Sequence, residues 1–206
     1  MSQAILTTAI ELAKALDRAA DDILPKKLAD IVKWHSRGAT AAAFIPIPGA
    51  DLVGGAVAIW GMYLRINKEI GVSIGNNIMK TIASGVSTNL LAYASALAVG
   101  SMLKFIPGIG TAGGTFIMAG TIYAVTIASG FVYLKVLTAI AKHDGTLAKI
   151  DASKLKTHLN NFISQNKGSI KDIIKEGRKD YSKNKDSMKV SEKEKREFEK
   201  SMKDFK

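Results

Sequence analysis

Gly108-Ile109-Gly110-Thr111-Ala112-Gly113 has the G-x-G-x-x-G spacing that cradles a dinucleotide pyrophosphate. That chemistry needs a strand before the first glycine and an acidic residue about 20 positions on. Here Pro107 stands where the strand should end, and the next acidic residue is Asp144. The glycines therefore read as a turn and a close packing surface. No G-x-x-x-x-G-K-[ST] pattern is present, so a Walker-type phosphate loop is excluded. His35, His143 and His158 do not fall at ligand spacing, and each reads as a packing or surface residue. Asp21-Asp22 pairs two carboxylates at a helix end, without the polar cleft that acid–base work needs. No Ser or Thr sits in a nucleophile-elbow setting. Cysteine is absent, which removes disulfides and thiolate metal sites. No catalytic residue, metal ligand or cofactor is expected, and the chain reads as non-enzymatic.

What the chain lacks in reactive groups it shows in architecture. Phe44-Ile45-Pro46-Ile47-Pro48-Gly49-Ala50-Asp51 has a counterpart 61 positions later, Phe105-Ile106-Pro107-Gly108-Ile109-Gly110-Thr111-Ala112. Proline and glycine together stop one helix and start another, so each copy marks a sharp turn beside an apolar helix. Helical periodicity or uncharged runs predict helices over 3–24, 25–37, 49–70, 76–103 and 109–142, with a short interruption at Gly85. β-branched residues do not alternate, so strands are not expected. The fold class is all-α: a helical bundle around a very apolar, Gly/Ala-rich hairpin, expected to be membrane-inserted. The chain divides into amphipathic N-terminal helices (1–38), an apolar domain with the two turns (39–145), and a basic tail (146–206). Within that tail, 178–206 reads as mobile or as a solvent-exposed helix.

Charge is distributed unevenly. The 206 residues carry a net +11, but residues 1–134 hold 10 Lys/Arg against 7 Asp/Glu, and residues 135–206 hold 19 against 11. Residues 81–103 and 105–134 carry no charge. A spanning helix needs about 20 apolar residues, and 81–103 and 112–134 each supply 23 uncharged ones, the first diluted by Ser, Thr and Asn. The connecting turn, Lys104, Phe105, Ile106, Pro107, Gly108, Ile109 and Gly110, has one charge, while basic residues flank both outer ends. The positive-inside rule keeps those flanks in the cytoplasm.

Small residues at four-residue spacing, Ala92, Ala96 and Gly100, and Gly120, Ala124 and Ala128, would let helix backbones approach closely. The first turn, with Phe44, Pro46, Pro48, Gly49 and Asp51, enters a helix less suited to lipid. Asp51 in its first turn favours the positive helix end and would be costly at depth. Trp34 among Lys33 and Arg37 suits a membrane interface or, more commonly, a core. Lys154, Lys156, Lys167, Lys171, Lys175, Arg178 and Lys179 form the expected anionic-lipid surface.

Ile45-Pro46-Ile47-Pro48-Gly49-Ala50-Asp51-Leu52, followed by Met62, Leu64, Arg65, Ile66, Ile70 and Gly71, resembles a bacterial family of hydrophobic helical domains. Lys104-Phe105-Ile106-Pro107-Gly108-Ile109-Gly110-Thr111 does so too. These domains accompany Era-like and dynamin-like GTPases and include the YcjF-type membrane proteins. The resemblance covers about 28–142. It implies a membrane-binding helical domain at the cytoplasmic side of a bacterial inner membrane, alongside a GTPase partner. This chain carries a basic segment where fused members carry their GTPase.

The expected function is therefore that of a membrane-associated helical protein that inserts an apolar hairpin and binds anionic lipid. A GTPase partner and self-association are carried as further expectations. One alternative is a membrane-permeabilising, pore-forming effector. Another is a soluble scaffold or nucleic-acid-binding module, which ranks last because the tail has few aromatics and no recognisable nucleic-acid motif. The N-terminus lacks a basic segment ahead of its apolar stretch, so a secretory signal is not expected. A soluble cytoplasmic location, or secretion without a signal peptide, is the alternative to the inner membrane.

Overall fold

The computed structural model describes the backbone of residues 24–44, 50–98, 111–144, 147 and 150–205. The expected helix over 3–24 lies outside the described residues, apart from Leu24. Seven α-helices are described: α1 (Leu24–Ala39), α2 (Ala50–Glu69), α3 (Asn76–Ala98), α4 (Thr111–Asp144), α5 (Ala152–Gln165), α6 (Lys167–Asn184) and α7 (Glu192–Phe205). A short 3-10 helix, Thr40–Phe44, extends α1. No strand occurs among the described residues, and the expectation of an all-α fold holds.

The helix ends follow from local chemistry. α2 stops where Gly71 takes φ +71°, a region that disfavours residues with a Cβ. The Val72 amide then donates to the Asn67 carbonyl at 2.8 Å and closes a Schellman turn. Asp151 caps α5, its carboxylate accepting from the Ser153 and Lys154 amides at 2.6 and 3.1 Å. Those bonds hold its carboxyl below the usual carboxylate range. A capping box starts α7. The Ser191 amide donates to Glu194 Oε2 at 2.7 Å, and the Glu194 amide donates back to Ser191 Oγ at 3.2 Å. These bonds and the nearby Arg37 pull the Glu194 carboxyl down.

α4 is the axis, packed against α1, α2, α3, α5 and α6. Most of its middle is buried: Ala124, Val125, Ala128, Val132, Leu134, Val136 and Leu137 join one core with Leu28 of α1, Ile66 of α2 and Val86 of α3. A helix apolar on every face has no solvent face to offer and must be surrounded.

Two expectations are corrected. Gly85 does not interrupt α3, which runs unbroken from Asn76 to Ala98. A lone glycine costs only about 1 kcal/mol relative to alanine, too little to break a helix held by Ile82, Ala83, Val86 and Leu90. Nor is 146–206 a detached tail. Leu155, Leu159, Ile163, Ile170 and Ile174 belong to the same core as α4, so the composition change near 145 is no packing boundary. Tyr181 is buried against Tyr123, and Met202 against Val57. Burial of each such side chain contributes roughly 1.5–3 kcal/mol. A charged helix thus docks through one narrow apolar stripe, which overall polarity conceals.

Candidate membrane-contact helix and its sheath

Among the described residues one helix is long and apolar enough to cross a membrane, Thr115–Asp144 within α4, and most of it is buried inside the bundle. α3 does not meet that measure, which corrects the expectation of two spans among the described residues. Its face away from the core exposes Thr81, Gly85, Thr88, Asn89, Ala92, Ser95 and Ala96.

The two small-residue seams separate in the same way. Ala92 and Ala96 are exposed and make no seam within the chain, and Gly100 lies outside the described residues. Gly120, Ala124 and Ala128 are buried, but the partner of the first two is α6, not the other arm of the hairpin. A Cβ on Gly177 would lie 2.9 Å from Ala124 Cβ, and one on Gly120 would lie 2.9 Å from the Tyr181 ring. Two glycines, one on each helix, thus bring α4 and α6 together.

Arg178 reinforces that contact. Its guanidinium donates to Thr121 Oγ1 at 2.9 Å and to the Ala94 carbonyl at 3.2 Å, and burial lowers its pKa from the ordinary arginine value. It therefore faces the bundle, contrary to its expected place on a lipid-binding surface. Lys171 lies over the Tyr93 ring at 6.0 Å, and Lys179 pairs with Glu176 at 2.8 Å. Lys154, Lys156, Lys167 and Lys175 are exposed, with no ion-pair partner among the described residues.

At the entrance to α4 the cover ends. Phe116 and Ile117 are 44% and 53% exposed. Phe44, at the end of the 3-10 helix, meets Phe116 edge-on at a centroid separation of 5.8 Å. Lys185 places its ammonium 5.2 Å from the Phe116 ring centre. Phe44, which opens the first Phe-Ile-Pro segment in the chain, and the start of α4, which follows the second, thus meet at one end of the bundle. Pro46, Pro48, Gly49, Lys104, Phe105, Ile106, Pro107, Gly108 and Gly110 lie outside the described residues. The Asp51 backbone sits in the first turn of α2, as expected, and its side chain is likewise outside them.

Sequence reasoning missed a buried polar contact between α2 and α4. Tyr63 and Tyr133 stack at 3.8 Å with their planes 14° apart. The Tyr63 hydroxyl pairs with Ser129 Oγ at 2.7 Å, and the Tyr133 hydroxyl donates to Asn67 Oδ1 at 2.6 Å. The available signal was the presence of tyrosines and an asparagine inside otherwise apolar runs, where each polar atom must find a partner.

His35 is the described histidine set into the packing. Burial and the nearby Arg65 lower its pKa to about 4, against the opposing effect of a hydrogen bond to the Ala58 backbone. Its Nε2 is buried without a hydrogen-bond partner among the described residues. Next to it Trp34 is 52% exposed, with the Arg65 guanidinium 5.3 Å from its ring centre, so Trp34 takes the outward of its two expected placements. No cluster that could hold a metal ion occurs among the described residues.

Comparison with protein-family models, with curated proteins and with solved structures returns no match. The likeness to GTPase-associated domains stands on the two turn motifs alone.

Proposed function

We propose that this is a non-enzymatic, membrane-associated helical protein that stores an apolar helix in a sheath of amphipathic helices and docks on anionic bilayers. The observation that carries this reading is the uneven cover of α4. A stretch long enough to span is buried along its middle, yet begins with the exposed pair Phe116–Ile117 beside Phe44 and Lys185. Aromatic and aliphatic side chains next to lysine suit the bilayer interface, where rings sit at headgroup level and cations meet phosphate. Exposed lysines on α5 and α6 add a long-range attraction of about 1 kcal/mol each near an anionic surface, screened by salt.

Flotation on vesicles tests this. The protein should rise with phosphatidylglycerol-containing vesicles at low salt, and far less with phosphatidylcholine alone. Phe116→Asp with Ile117→Asp should cut the floated fraction about tenfold without shifting the melting temperature. A wild-type protein that stays at the bottom with anionic vesicles overturns the reading.

The same sheath favours a second reading, a membrane-permeabilising effector whose central helix enters the bilayer once α6 lifts away. Dye release from the same vesicles separates the two. A docking protein binds and leaves the dye inside.

A further inference from the structure

The middle of α4 reaches solvent in one place between α1 and α6. Ile127 and Phe131 are partly exposed there and floor a groove of about 420 Å³. Val32 of α1 and Met188, just beyond α6, close its sides. Sites for small ligands commonly occupy about 300–1,000 Å³ and are mostly apolar with a few placed polar groups. The lining runs along α4 from Tyr123 to Leu134. That is about 16 Å of helix at 1.5 Å per residue, so the slot is longer than a compact ring needs and suits an extended chain.

The rim decides which end group fits. On the α6 side, the Asp180 carboxylate is already engaged. It accepts from the Tyr123 hydroxyl at 2.9 Å and from the Asn184 amide at 2.9 Å. On the α1 side, Arg37 donates to the Lys189 carbonyl at 3.2 Å and lies 3.8 Å from Glu194. Lys33, one turn earlier on α1, is exposed and has no ion-pair partner among the described residues. Lys33 is therefore a free cation at the α1 side of the mouth, across from an Asp180 carboxylate already held by neutral donors.

We infer that this slot binds a single acyl chain carrying an anionic head, with the chain over Ile127 and Phe131 and the head at Lys33. The site does not depend on membrane docking, since it is formed within the bundle and can be loaded without a bilayer. A free fatty acid and a lysophospholipid share this chemistry.

Titration calorimetry on the full chain tests it, with probes kept below their micelle concentrations. Myristate and myristoyl-lysophosphatidylglycerol are the two anionic probes, and methyl myristate is the uncharged control. At least one anionic probe should bind one to one, and methyl myristate at least tenfold more weakly. Binding of only one anionic probe identifies the source of the chain. Lys33→Glu should weaken binding about tenfold, Lys33→Arg should retain it, and Lys154→Glu on α5 should leave it unchanged. Ile127→Trp, which fills the floor, should abolish binding. Lys33→Glu is a surface change that leaves the bundle intact, so the test survives if the tryptophan variant does not fold. Binding of the ester as tight as that of the acid, indifference to Lys33→Glu, or failure of both anionic probes would each overturn the inference.

Discussion

α3 and α4 look alike as strings and differ as objects. Each holds a long uncharged run rich in glycine and alanine. α4 is wrapped by five other helices, whereas α3 turns Thr81, Thr88, Asn89 and Ser95 toward solvent and buries one face, Ser87 included. Absence of charge does not distinguish a fully wrapped helix from a half-buried one. The distribution of small polar residues around the helix does, because hydroxyls and amides satisfied by water need not be paired inside.

Charge insertion is the strongest way to break this contrast. Ala128→Lys on α4 would bury an unpaired cation, and should cost at least about 4 kcal/mol or prevent folding. Ala92→Lys on α3 meets solvent and should change stability by no more than about 0.5 kcal/mol. Urea denaturation of the two variants checks both. Equal losses would remove the distinction between the arms.

Acid acts on the sheath at α1. The folded-state pKa of His35, about 4, lies below the ordinary histidine value of 6.5, so the unfolded chain binds more protons between those values. Stability is fully present above about pH 6.5 and falls as pH drops toward 4, by up to about 3 kcal/mol from this group. Arg65 of α2 acts on His35 from one side, and Arg37 of α1 with Glu194 and Glu197 of α7 line the hollow on the other. His35→Gln should flatten the loss in thermal melts taken from pH 7 to pH 4.5. An unchanged slope would place the acid sensitivity elsewhere.

Gly177→Val sharpens the comparison from the α6 side. The added methyls meet Ala124 where a single Cβ is already too close, and overpacking of this kind costs about 1–3 kcal/mol. Stability should fall by that amount, and hydrogen exchange should quicken along the Gly120–Ala128 segment of α4 more than along α2. The smallest effect is expected at the cap of α7, where Ser191→Ala removes the hydroxyl's bonds to the Glu194 amide and carboxylate, worth about 1 kcal/mol, and leaves the backbone half of the box in place.

The helices of the apolar domain were legible in the sequence because turns and uncharged runs are local signals. Pro25 lies at the start of α1 and Gly71 terminates α2, at positions that backbone sterics alone nearly dictate, whereas Gly38 stays helical and the chain runs on to Phe44. The docking of α6 and α7 was not legible. Their apolar stripes hold only Ile170, Ile174 and Tyr181, and then Phe198, Met202 and Phe205, among many charges. Their partners lie dozens of residues upstream. The seam at Gly120–Ala124 was visible as spacing, but spacing names a face and not the helix that will cover it. Lys33 was visible as a charge, while its lack of a partner depends on Glu194 approaching Arg37 from α7.

Arg178 touches both arms at once, through Thr121 on α4 and the Ala94 carbonyl on α3. A helix held this way does not peel from one neighbour while keeping the other. Displacing α6 therefore releases a contact on each arm at once, so a perturbation that reaches α6 is felt by α3 as well as α4.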